Sequence, residues 1–145
     1  MNTHIVPEFG LINAFGAILI AFIYIAIFSL VAEPNRQKIN AIIIAGAGSV
    51  YWAGGLGIAE YLFATLMLFV AFKGLSKYYF VGIGWLLHTS WDVFHHLYGS
   101  PIVPFSPSSS AGCAVCESIL AIWFFYNAPS IYGFLNRKTT LGNAA

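Results

Sequence analysis

Three of the chain's four histidines and one of its five acids fall in one apolar run, Leu86-Leu87-His88-Thr89-Ser90-Trp91-Asp92-Val93-Phe94-His95-His96-Leu97-Tyr98-Gly99. On a helix each residue advances about 100° around the axis. His88, Asp92 and His96 then follow one another about 40° apart, and His95 lies about 20° to the other side of His88. The four polar heads share one face, while Leu86, Leu87, Val93, Phe94 and Leu97 occupy most of the rest. Imidazole nitrogens and a carboxylate turned to one side suit two kinds of chemistry: holding a divalent metal ion, or moving protons as general acid and base.

The composition says what kind of element must carry this face. Of 145 residues, 59% are hydrophobic and 8% charged, and the mean hydropathy is +0.80. A soluble domain carries about 25% charged residues. So few polar side chains cannot cover a water-facing surface, and the composition predicts an integral membrane protein. Inside hydrocarbon every backbone N–H and C=O must be paired internally, which leaves helices or a closed barrel. The apolar runs are continuous rather than alternating, so the expected fold class is all-α, a helical membrane bundle. The net charge of +1 says nothing about nucleic acid and no basic run supports it, so no nucleic-acid partner is expected. The N-terminal residues have no positive stretch and no small-residue cleavage pattern, so the first apolar run is expected to remain as a span.

Five spans are predicted, at about 11–32, 39–53, 58–72, 78–97 and 113–135, forming one transmembrane domain over 1–145. The breaks are Glu33-Pro34-Asn35-Arg36-Gln37-Lys38, a tight hairpin at Gly54-Gly55-Leu56-Gly57, Lys73-Gly74-Leu75-Ser76-Lys77, and the Pro/Ser loop of 98–112. Small residues of the second span (Ala45, Gly46, Ala47, Gly48, Ser49) permit close helix approach. Pro129 is expected to kink the fifth span, with Asn127 satisfying the freed backbone. Every Lys and Arg (Arg36, Lys38, Lys73, Lys77, Arg137, Lys138) falls on one side of this layout. The positive-inside rule then puts the N-terminus outside and the C-terminus in the cytoplasm, as in a bacterial plasma (inner) membrane protein.

Under this topology the outer half of the bundle collects the remaining polar groups. Glu60 opens the third span, and Glu117 lies in the first turns of the fifth, just below Cys113 and Cys116. Ionised groups inside a bilayer face the protein interior and are paired. No Lys or Arg accompanies these carboxylates, so they are protonated, or a cation or histidinium neutralises them. A divalent metal (zinc, iron or manganese) on His88, Asp92, His95 and His96 meets that need, with Glu60 and Glu117 as further ligands or a catalytic base. The competing assignments are a hydrogen-bonded polar seam for the histidine motif and helix-end acids for Glu60 and Glu117. For Cys113 and Cys116 they are small apolar packing, a disulfide, or thiolate ligation. His4 receives no role. Trp52, Trp85, Trp91 and Trp123 are read as belt and core residues.

The stretch His88-Thr-Ser-Trp-Asp92-Val-Phe-His95-His96-Leu-Tyr-Gly-Ser-Pro-Ile, followed by Ser109-Ser110-Ala111-Gly112-Cys113, resembles a family of small multi-pass membrane proteins catalogued only as a domain of unknown function. The resemblance implies a membrane protein in which this motif matters, and it implies no reaction. The spacing is also loosely similar to the histidine boxes of membrane desaturases and hydroxylases, which carry several boxes where this chain has one.

Two functions follow from the residues. The first is a metal-dependent hydrolase of a lipid-like substrate, in which the metal generates hydroxide or polarises a carbonyl and a carboxylate moves the proton. Iron-dependent oxidation is its variant. The second is a non-enzymatic accessory subunit of a membrane complex that binds a haem-like cofactor or orders the bundle. Membrane lipids are expected partners in both, and a homo-oligomer or a complex partner fits the small-residue face of the second span.

Overall fold

The computed structural model describes residues 6–52 and 55–133. His4, Ala53 and Gly54 of the predicted hairpin, and the end of the fifth span with Arg137 and Lys138, lie outside the described residues. Five helices follow one another: α1 (Leu11–Ser29), α2 (Asn35–Ala47), α3 (Ile58–Gly74), α4 (Tyr78–Tyr98) and α5 (Ser109–Phe125). A further helical turn covers 131–133, and no strand occurs among the described residues. The chain is all-α.

Four boundaries differ from those expected. α2 starts at Asn35, directly after Pro34, and takes in Arg36 and Lys38. These side chains are good helix formers, and charge alone does not end a helix. It stops at Ala47, where two glycines flank the end, so Tyr51 lies in a non-helical turn. α5 starts at Ser109, because the serine hydroxyls find work in its first turn. Ser109 Oγ accepts from the Val103 N–H (3.0 Å) and Ser110 Oγ from the Ile102 N–H (3.3 Å), which staples the Pro/Ser loop to the helix. α5 ends at Phe125 instead of kinking at Pro129. Asn127 and Ala128 take positive φ (60° and 45°), outside the right-handed helical region. The backbone freed there is met by Arg36, whose Nη1 donates to the Ala128 carbonyl (2.6 Å), and by Trp123 Nε1, which donates to that of Pro129 (3.1 Å).

α4 is the centre of the bundle. It packs on α5 most extensively, and on α3 and α2, whereas α1 packs chiefly on α5. Two glycines set these approaches. A Cβ on Gly82 would lie 2.9 Å from the Phe125 ring, and one on Gly84 2.6 Å from Ile44 Cγ2. The core between them holds Ile44, Met67, Val81, Trp85, Leu120 and Phe124.

The ends of the bundle differ in chemistry. Arg36, Lys38, Lys73 and Lys77 all lie where α1 and α3 end and α2 and α4 begin. Arg36 there pairs with Glu33 (3.4 Å), and Gln37 Nε2 donates to the Gly74 carbonyl (2.8 Å). The opposite end carries the polar groups of α4 and α5 and the Pro/Ser loop. Among the described helices, α1 is the one long and apolar enough to cross a membrane.

Candidate metal centre

The helical spacing that puts His88 and Asp92 on one face of α4 turns that face toward α5 and the turn after α2. There Glu117 of α5 meets them. His88 Nδ1 lies 2.9 Å from both carboxylate oxygens of Glu117 and 3.6 Å from Asp92 Oδ2. All three residues are buried, and one ligand atom from each falls within 4.8 Å of the others.

The outer contacts of this group fix which atoms are available. His88 Nε2 lies 2.9 Å from the Ala47 carbonyl. A carbonyl only accepts, so Nε2 carries hydrogen and Nδ1 is the nitrogen turned to the carboxylates. Tyr51 folds inward from its turn, 3% exposed, and its hydroxyl donates to Asp92 Oδ1 (2.6 Å). Ser110 Oγ lies 3.0 Å from the same hydroxyl. Asp92 Oδ2 is buried without a hydrogen-bond partner. One nitrogen and two carboxylates thus converge, with His88 and Asp92 steadied from behind. A metal-bound histidine is ordinarily held this way, its other N–H donated to a backbone carbonyl.

His95 and Glu60 form a separate pair. The His95 ring stacks on Tyr51 at 3.7 Å between centroids, and its Nε2 lies 3.9 Å from Glu60 Oε1. Glu60 is buried and accepts from the Leu56 N–H (2.9 Å), in the manner of an acid at a helix start. The group within ligand distance is His88, Asp92 and Glu117, so the expected single gathering of all the acids and imidazoles becomes two neighbouring clusters bridged by Tyr51. His96 is half-buried at the edge of the face. Cys113 and Cys116 carry free, half-buried thiols.

A cleft of about 480 Å³ opens between the N-terminal half of α1 and α5, and Glu117, Cys113 and Cys116 line it. The helices part there because the buried stripe of α1 (Ala17, Ala21, Ile25, Ser29) includes no residue before Ala17. Glu117 is therefore shared between the cleft and the His88–Asp92 cluster.

Two participants are not legible as site residues in the sequence. Tyr51 lies outside any helix, so no periodicity points it at Asp92, and the phenol in the Ser49-Val50-Tyr51-Trp52 run before the glycines is its one signal. The Ala47 carbonyl is backbone and has no signal at all.

The fold and the cluster together define an all-α bundle with a buried His/Asp/Glu group able to hold a metal ion. The chain belongs to a family of unknown function (DUF6010), whose model matches residues 12–130. No curated protein and no solved structure matches it.

Proposed function

We propose that this chain is a five-span membrane protein that binds one divalent metal ion at His88 Nδ1, Asp92 Oδ2 and Glu117, and that it hydrolyses a lipid-like substrate there. The observation that carries the metal assignment is the convergence of three buried ligand atoms within 4.8 Å of one another. Nδ1 and Oδ2 are the inward-facing atoms of residues whose other polar atoms are engaged by Ala47 and Tyr51. Metal–ligand bonds of about 2.0–2.2 Å at tetrahedral angles put ligand atoms roughly 3.4 Å apart. The observed separations of 2.9 and 3.6 Å bracket that value. Two buried carboxylates beside one imidazole need a further positive charge, and burying an unmatched carboxylate is costly. Among the described residues, the Lys/Arg ion pair is Arg36–Glu33, at the other end of the bundle.

The membrane assignment is supported by an inverted distribution of polarity. Glu60, His88, Asp92, His95 and Glu117 are buried, while Leu11, Ile12, Phe15, Leu19 and Phe22 of α1 stand outside. In the most apolar stretch of α1, 17% of residues are buried, so α1 is not packed as the core helix of a water-soluble protein would be. Four basic residues at one bundle end agree with a cytoplasmic face there and with the N-terminus outside. The shorter helices reach across with help from the turns at their ends.

A divalent ion at this place supplies a Lewis acid that polarises a carbonyl and acidifies water. The protein's own groups do the rest. Tyr51 and the Ala47 carbonyl hold Asp92 and His88 in place, and Glu117, on the cleft side, is placed to take a proton from water. In the hydrolysis, water's oxygen bonds to the substrate carbonyl carbon, the bond to the leaving oxygen or nitrogen breaks, and the proton passes through the carboxylate to that leaving atom. Elemental analysis of the detergent-purified protein tests the centre. About one metal ion per chain is expected, lost in His88→Ala and Asp92→Ala. Metal-free protein whose melting temperature ignores both metal and chelator would overturn the assignment, and a Soret band would replace it with the haem-like subunit.

A further inference from the structure

The geometry points to the α1/α5 cleft as the binding site of a neutral single-chain amphiphile, entering sideways from the leaflet at the N-terminal end of α1. This goes beyond the reading above and does not depend on it, although Glu117 borders both the cleft and the metal centre.

Shape is the first support. The volume of about 480 Å³ lies within the roughly 300–1,000 Å³ of small-molecule sites. From Ser108, which caps α5, to Leu120 the lining spans thirteen residues, and twelve steps of 1.5 Å make about 18 Å. One leaflet of a bilayer with a core of about 30 Å is about 15 Å deep. The cleft therefore matches one aliphatic chain lying along the membrane normal.

The walls supply the second support. Ile12, Ile20, Trp85 and Leu120 make them apolar, and Gly16 contributes no side chain, a Cβ there meeting nothing within 4 Å. An aliphatic chain is the ligand that such walls favour over lipid solvent by close packing, since hydrophobicity alone gives no advantage inside a bilayer.

The mouth decides the head group. Asn13 Nδ2 donates to Ser108 Oγ (3.2 Å) in an exposed contact, and Ser106 and Ser109 stand beside them. These are uncharged donors and acceptors that suit a hydroxyl, amide or ester head. No Lys, Arg or His lines the cleft among the described residues, and its ionisable groups are Glu117, Tyr24 and the two thiols. At the mouth a phosphate or carboxylate head finds no Lys, Arg or His, and Glu117 with the ion it holds lies nine residues further along α5, so an anionic head is disfavoured there.

Cross-linking tests this. The metal-loaded protein in phosphatidylcholine nanodiscs is irradiated with a diazirine-bearing monoacylglycerol, and the labelled peptides are mapped by mass spectrometry. Labels are expected on α1 and α5 within Phe9–Ile20 and Ser106–Leu120. Unlabelled monoacylglycerol should compete, while lysophosphatidic acid and the free fatty acid of the same chain length should not. Gly16→Leu puts a side chain into the cleft from a position where a Cβ meets nothing within 4 Å and should abolish the specific label, while bound metal and melting temperature stay unchanged. Asn13→Lys should admit the anionic competitors, because it supplies the cation that the mouth lacks. Labels spread evenly over the lipid-facing helices, equal competition by the anionic lipids, or full labelling of Gly16→Leu would each overturn the inference. Selective labelling of a protein in which elemental analysis finds no metal would instead remove the metal centre and leave the cleft as an amphiphile site.

Discussion

Replacing Tyr51 by Phe removes one oxygen and keeps the ring that stacks on His95. The lost hydroxyl donates to Asp92 Oδ1 at 2.6 Å and lies 3.0 Å from Ser110 Oγ. A hydrogen bond to a charged group contributes about 1.5–3 kcal/mol. At about 1.4 kcal/mol per factor of ten, this corresponds to a loss of about 10- to 100-fold in metal affinity. The same range describes losses when a residue supporting a metal ligand is removed. Competition for zinc between the purified protein and a calibrated fluorescent chelator measures the affinity directly. A double-mutant cycle with Asp92→Asn then asks whether the phenol acts through Asp92. If it does, adding Tyr51→Phe to Asp92→Asn costs much less than the single change. Undiminished zinc affinity in Tyr51→Phe, or strictly additive effects in the cycle, would refute the placement of Tyr51 behind a metal ligand.

Other perturbations separate the parts of the structure. His96→Ala should keep its bound metal in elemental analysis, whereas Glu117→Gln should lose most of it, because His96 stands outside the group within ligand distance. Gly84→Ala drives a methyl to 2.6 Å from Ile44 Cγ2 and should cost about 1–3 kcal/mol, the usual penalty of overpacking, read from a denaturant titration in mixed micelles. Arg36→Leu leaves the carbonyls of Val31 and Ala128 without their donor. A loss of about 1–3 kcal/mol is expected by the same titration, with metal content unchanged. Leu19, 61% exposed on α1, offers a test of the membrane assignment. Leu19→Arg should add about 2.5–3.5 kcal/mol to insertion and deplete the protein from carbonate-washed membranes, while on a water-soluble bundle the change would be innocuous.

Much of this molecule is local, and local properties are readable in a linear chain. The apolar runs placed five helices close to their observed positions, because backbone pairing and helical periodicity depend on near neighbours. The face shared by His88, Asp92 and His95 follows from the same periodicity, and all three are buried. The helix ends were less legible. Pro129 was expected to bend α5, yet the chain leaves the helix earlier, where Arg36 from α2 receives the Ala128 carbonyl, a distant donor that no local signal announces. The split of the polar residues into a His88–Asp92–Glu117 group and a His95–Glu60 pair was likewise beyond the sequence. Residue types and order determined that imidazoles and carboxylates would be sequestered from an apolar exterior. Which carboxylate reaches which imidazole was decided by packing, where Gly82 and Gly84 admit α5 and α2 close to α4 and Tyr51 fills the space between the clusters. Ligation depends on distances of a few ångströms between residues far apart in the chain, and only close-packed side chains of fixed volume set those distances.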